Sequence, residues 1–124
     1  MKPLIEIIKQ AESNKVAIGH FNVSDLTALK AIFEAAQDLK LSIIVGVSEG
    51  ERNFIGVKQI SALIKSLRDE YDYPIYLNAD HTHSLEKLKE AVEASFDAAV
   101  FDQSQLPFEK NIKKTKEAVE YVKN

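Results

Sequence analysis

The chain contains no cysteine, which excludes disulfides and thiolate metal sites and fits a reducing cytoplasm. Its formal charge of −3 has no basic block behind it. Lysines alternate with glutamates along helix-period segments, and the clustered basic stripe of a nucleic-acid surface is missing. No apolar run approaches the ~20 residues needed to cross a bilayer. The stretch MKPLIEIIKQAESNK carries Glu6 and Lys9 inside its apolar part, unlike a signal peptide. No linker or low-complexity tract interrupts the 124 residues, a length that suits one domain over residues 1–124 with a real core. What remains, 45% apolar and 28% charged, is the balance of a soluble, cytoplasmic globular protein.

Two periodicities alternate along this chain. Nearly continuous apolar runs at Val16–Val23, Leu41–Val47, Pro74–Ala79 and Ala98–Phe101 predict strands of a parallel sheet covered on both faces. Between them, Leu26, Leu29, Ile32, Phe33, Ala36 and Leu39 form one helical stripe behind a Ser24 N-cap. Val57, Ile60, Leu63, Ile64, Leu67 and Tyr71 form a second, and Leu85, Leu88, Ala91 and Val92 a third, opened by Ser84. A fourth has Pro107 in its first turn and continues through Phe108, Ile112, Thr115, Val119 and Val122. With a helix over residues 3–13 in front, four βα units follow between residues 16 and 123. Such alternation means an α/β fold with parallel strands and right-handed crossovers. A full TIM barrel needs eight units and typically ~250 residues. The chain therefore forms either a small open sheet or half of a TIM barrel, (β/α)4.

Chemistry in parallel α/β folds gathers at the carboxyl ends of the strands. His20, Asn22 and Ser24 fall there after the first strand, and Ser48 and Glu49 after the second. Asn78, Asp80, His81 and His83 follow the third, and Asp102, Gln103 and Ser104 the fourth. Helix capping competes with a site role for Ser24, Ser84 and Ser104. Asp80–His81 is the more specific pair: a neutral imidazole can bind a divalent metal beside a carboxylate that exchanges protons with the substrate. A capping aspartate beside a surface histidine is the plainer alternative. His81 and His83 form H-x-H, which would chelate one metal only if the strand continued through position 83. The cap at Ser84 instead places His83 in an exposed loop, and an amidohydrolase-like use of H-x-H would want the motif on the first strand, not the third. His20 reads as a packing or hydrogen-bonding residue. No strand run contains a lysine able to form a Schiff base, so carbonyl chemistry on this scaffold would need a metal.

The segments AIGHFNVSDLTALKAIFEAA, IIVGVSEGE and LNADHTHSLEKLKEAVEASFDAAVFDQSQLPFEKNIKKTKEAVEYVK resemble, in order and spacing, the N-terminal half of class II fructose-bisphosphate aldolases. The similarity spans essentially the whole chain and is shared by the related tagatose-bisphosphate enzymes. It implies a (β/α)8 barrel, a catalytic zinc and a sugar bisphosphate as substrate, a lyase of glycolysis. Asp80 matches the aspartate that exchanges a proton with, or hydrogen-bonds, the aldehyde-derived oxygen, and His81 matches a zinc ligand. Asn22 and Ser48 match positions lining the substrate pocket. Asp102 matches a carboxylate that supports the site from behind or binds a cation. The zinc would polarise the carbonyl of dihydroxyacetone phosphate as a Lewis acid.

Two departures from the family pattern set further expectations. Gln103 stands where the family has a small residue, with Gln105 close behind, and a bulky amide there would crowd the barrel mouth. The remaining zinc histidines, the glycine-rich phosphate loop and the flexible catalytic loop of the family lie beyond position 124, so aldol cleavage by this chain alone is expected to be weak or absent. Three protein ligands are the usual minimum for zinc. A half-barrel also has two unpaired edges. It is expected to meet a complementary C-terminal half, to close as a homodimer with two Asp80–His81 pairs in one mouth, or to rearrange into a flavodoxin-like sheet. A non-catalytic half-barrel module that homodimerises is the alternative function.

Overall fold

A computed structural model of the protein describes residues 1–123; Asn124, the end of the expected span, lies outside the described residues. The order of elements is α1 (Leu4–Ser13), β1 (Gly19–Asn22), α2 (Leu26–Leu39), β2 (Ile43–Val47), α3 (Glu49–Ile55), α4 (Val57–Tyr71), β3 (Ile75–Thr82), α5 (Leu85–Glu93), β4 (Ala98–Phe101) and α6 (Phe108–Lys123). The four strands are parallel and lie in chain order, β1-β2-β3-β4. A doubly wound sheet reverses its strand order at a switch point. This sheet never reverses, so the fold is half of a TIM barrel, and the flavodoxin-like rearrangement does not occur.

Strand alternation sorts the side chains onto two faces. Ile43, Val45 and Val47 of β2 and Ile75 and Leu77 of β3 pack against Leu29, Phe33 and Ala36 of α2 and Ile60 and Ile64 of α4, forming the core. The opposite face carries His20 and Asn22, Ile44 and Gly46, Tyr76 and Asn78, brought level by the register. This is the face that points into a closed barrel. The expectation of strands covered on both faces holds for the middle of the sheet and fails at its edges. β2 and β3 are almost wholly buried, whereas Phe21 on β1 and Val100 on β4 are 45% and 42% exposed. At the amino end of β3 the buried Tyr76 donates its hydroxyl to the Lys2 carbonyl at 2.8 Å, tying the segment before α1 to the sheet.

The sequence reading needs four corrections. β1 and β2 begin later than their apolar runs because Val16 and Leu41 still belong to the preceding helix ends. Their N–H groups reach back to the carbonyls of Ala11 and Ala36, with Lys15 and Lys40 left-handed between, the geometry of Schellman caps. β3 continues through the polar residues Asp80, His81 and Thr82. Asp25, not Ser24, caps α2, its carboxylate accepting from the Ala28 N–H at 2.8 Å. The extra helix α3 opens on a capping box: Ser48 Oγ accepts from the Glu51 N–H while the Glu51 carboxylate accepts from the Ser48 N–H. Gly56 divides α3 from α4 at φ +96°, where a Cβ would fall 2.0 Å from Gln59 Oε1.

No helix among the described residues is long and apolar enough to cross a membrane. The core contacts set a stability prediction. Leu29 is fully buried between α2 and the sheet, so Leu29→Ala should cost about 2–5 kcal/mol, measured by urea unfolding followed by circular dichroism.

Candidate functional site

Adjacent residues of a regular strand point to opposite faces. β3 breaks this rule next to its end: the register with β4 shifts between Ala79 and Thr82, and His81 adopts φ +43°. Among the described residues five non-glycine positions have positive φ, and four of them, Lys15, Lys40, Asp72 and Ser95, end helices, where the left-handed conformation is ordinary. Among the described residues His81 alone adopts it within a strand. A bulge of this kind re-aims side chains, and strained backbone of this kind clusters at functional sites. The Asp80 and His81 side chains consequently approach each other, with Asp80 Oδ1 3.9 Å from His81 Nε2.

Both groups are held by side chains from the carboxyl ends of other strands. The His81 Nδ1–H donates to Asp102 Oδ2 at 2.9 Å, which fixes the tautomer and leaves Nε2 as the open nitrogen. Asp102 in turn accepts from the Ser104 N–H, so Ser104 closes a turn and caps no helix. Asn22 donates its amide to Asp80 Oδ2 at 3.0 Å and to Glu51 Oε2 at 3.2 Å. It reaches across β2 only because position 46 is glycine: a Cβ there would fall 2.4 Å from the His20 ring and 2.6 Å from Asn22 Oδ1. His20 crosses the same gap, accepting from the Asn78 amide at 3.0 Å, which is the hydrogen-bonding role expected of it.

The rim holds the remaining residues singled out in the sequence. Ser48 lies at the start of α3 with its hydroxyl accepting from Glu51. The exposed His83 lies in the loop after β3; its N–H donates to Glu49 and its ring to the Asp102 carbonyl. Gln103 does not crowd the mouth. Its side chain is buried and donates to the carbonyls of His83 and Asp102, clamping the two loops together, while Gln105 stays exposed. Gly46, Glu51 and Arg52 were not anticipated. A glycine inside a strand pattern and an S-x-x-E signature were the available signals for the first two.

Residues 2–124 match the family described as fructose-bisphosphate aldolase class-II. The chain belongs to that family. It is 36% identical over 119 residues to a fructose-bisphosphate aldolase of Geobacillus stearothermophilus, covering 94% of this chain and 42% of that protein. Against a fructose-bisphosphate aldolase of Staphylococcus aureus strain N315 it is 36% identical over 121 residues, with the same coverage. The chain thus spans about two-fifths of the length of these relatives. The crystal structure of the YdjI aldolase from Escherichia coli K12 superposes with a TM-score of 0.85 at 29% identity, covering 98% of this chain and 47% of that one. A fructose-bisphosphate aldolase of Campylobacter jejuni shares the fold at a TM-score of 0.80 and 22% identity, covering 90% of this chain and 40% of its own.

For an aldolase-family half-barrel the test of zinc is its donor set. His81 Nε2 with a carboxylate behind Nδ1 is the arrangement of a metal-binding histidine. No group of three or more histidine, aspartate or glutamate side chains gathers as a cage among the described residues. The residues fit one zinc ligand and not a complete site.

His81 and Asp102 shift each other's protonation. The hydrogen bond to Asp102, then the charge of Asp80, raises the His81 pKa above its ordinary 6.5. Asp102 is held well below the usual carboxylate range by Ser104 first and by His81 next. The stability that His81 contributes is therefore complete below pH 6.5 and lost as pH rises through its raised folded value. That of Asp102 is present above its ordinary 3.8 and lost as pH falls through the depressed one. Asp102→Asn should return the His81 titration, followed by imidazole NMR, toward 6.5. Gly46→Val should displace Asn22 from Asp80, seen as a shift of the Asn22 side-chain amide resonances.

Proposed function

We propose that this chain carries the proton-exchanging aspartate and one zinc ligand of a metal-dependent ketose-bisphosphate aldolase. The reaction is cleavage of fructose 1,6-bisphosphate to dihydroxyacetone phosphate and glyceraldehyde 3-phosphate, a step of cytoplasmic glycolysis. The observation that carries the reading is the bulge that brings Asp80 Oδ1 within 3.9 Å of the open nitrogen of His81. His81 Nε2 would hold zinc, which when bound supplies a Lewis acid for the ketose carbonyl. Asp80, oriented by Asn22, exchanges the proton of the aldehyde-derived oxygen. Asp102 keeps the imidazole in the tautomer that leaves Nε2 free. Asn22 and Ser48 line the substrate pocket. Residues 1–124 act as one domain in this reading, and the other ligands and the phosphate-binding backbone come from a complementary C-terminal half.

Cleavage of fructose 1,6-bisphosphate by the chain alone with added zinc is expected at background, because one imidazole is too few ligands. A chimera completed with the C-terminal portion of the G. stearothermophilus relative should cleave it. There, Asp80→Ala should lower kcat by about 10²–10⁴-fold with zinc retained, and His81→Ala should lose zinc. A chimera that cleaves equally well after Asp80→Ala would defeat the assignment.

The open edges favour a second reading, a half-barrel module that homodimerises. Among the described residues β1 and β4 each present four residues with one unpaired side, and apolar Phe21 and Val100 are exposed on them. Two copies meeting β1 to β4 would pair both edges of an eight-stranded barrel. Light scattering during gel filtration should give a dimer at micromolar concentration; a stable monomer contradicts this reading.

A further inference from the structure

Arg52 is the largest fully buried side chain, at 2% exposure, and it lies on α3, immediately above the ends of β2 and β3. Its Nη1 donates to the carbonyls of Val47 and Asp80, the latter at 3.2 Å, and its Nη2 donates to Thr82 Oγ1 at 3.1 Å. Thr82 is itself buried and donates onward to the Ala79 carbonyl at 3.3 Å. Arg52 thus bonds the last residue of β2 and both sides of the bulge. We infer that Arg52 is the positioning residue that holds the β3 bulge, and so holds Asp80 and His81 in their shared orientation. The inference rests on the role proposed for that pair.

The ladder explains why such a residue is needed. β2 pairs with β3 only as far as Val47 opposite Ala79, and α3 begins two residues later. No further β2 backbone exists to bond Asp80, and on the other side the β4 register is interrupted over the same residues. The planar guanidinium supplies the missing donors with two prongs in fixed geometry, one toward each strand end. An ammonium is a point charge and does not reproduce that fork. All three of its hydrogen bonds in this staple go to neutral oxygens. A buried cation without a bonded carboxylate is costly. Desolvation accordingly lowers the Arg52 pKa, opposed by the surrounding charges of Glu49, Asp80, Glu90 and Glu51. A residue that only anchored α3 could do so with an apolar side chain at no such cost.

The test is amide and Cα NMR on the chain with Arg52→Lys, Arg52→Met and Thr82→Val. Thr82→Val removes one acceptor of the staple and leaves Arg52 and α3 in place. In each variant the resonances of residues 79–83 and 102–104 should shift, and His81 should lose the left-handed signature in its Cα shift and its HN–Hα coupling. Signals from the core around Leu29 and Ile64 should stay in place. If Arg52→Met fails to fold, Arg52→Lys and Thr82→Val decide. Retention of the left-handed His81 in those two variants, or changes confined to α3, overturns the inference. The readout needs neither zinc nor cleavage, so a displaced His81 in a chain whose completed chimera never cleaves substrate defeats the proposed function alone. An unmoved His81 in variants of an active chimera defeats only the role of Arg52.

Discussion

The candidate site depends on a break in alternation. A regular strand would send Asp80 and His81 to opposite faces, one toward the barrel interior and one toward the helices. The register shift between Ala79 and Thr82 and the left-handed His81 give both residues the same neighbourhood. The other features of the mouth follow from that break. Asp102 reaches His81 from just after β4, Asn22 reaches Asp80 from β1, and the latter contact exists because Gly46 leaves the intervening strand bare. Each strand contributes one element of a single arrangement, and the monotonic order of the sheet keeps those elements adjacent.

The two faces of the sheet have different tasks, and this explains a pattern that a conventional α/β layer would find costly. The helix-facing side is wholly apolar at Ile43, Val45, Val47, Ile75 and Leu77. The other side buries Asn78 and half-buries Asp80, each with a side-chain partner. Among the described residues no buried side-chain polar atom is left without a hydrogen bond. Polar groups inside a barrel are tolerated when they bond one another across strands, and here they do so in pairs, His20 with Asn78 and Asn22 with Asp80.

Local pattern carried most of the architecture. Four apolar runs and the helical stripes between them were enough for a parallel α/β fold, and strand polarity alone put Asp80 and His81 at the carboxyl end of the sheet. The open question in the sequence, half-barrel or open sheet, is one of strand order, and order is set by packing between units that periodicity does not report. α3 escaped notice because seven residues carry no apolar stripe, although its capping box was there to read at Ser48 and Glu51. Asp25 and Ser24 are equivalent candidates for a cap until the turn geometry selects one. The bulge was illegible for a deeper reason. It is built from contacts between residues 28 and 30 positions apart, Arg52 with Asp80 and with Thr82, and no local signal marks them. Gln103 shows the converse. A residue that looks obstructive by position is harmless because its amide finds two carbonyls inside the loop.

Positioning and affinity separate in this half-barrel. The groups that orient His81 and Asp80 all come from the four strands and α3, so the direction of the open imidazole nitrogen and of the carboxylate is set locally. Zinc affinity grows with the number of ligands, and a single imidazole supplies little of it. In the proposed reading, a complementary half adding ligands would meet a histidine already in the required tautomer and a carboxylate already oriented, and its binding energy would not be spent on ordering them. In the proposed reaction that division is advantageous. The carboxylate proposed to exchange the proton stays fixed relative to the proposed metal ligand, because Asp80 and His81 are adjacent in one bulge and share its geometry.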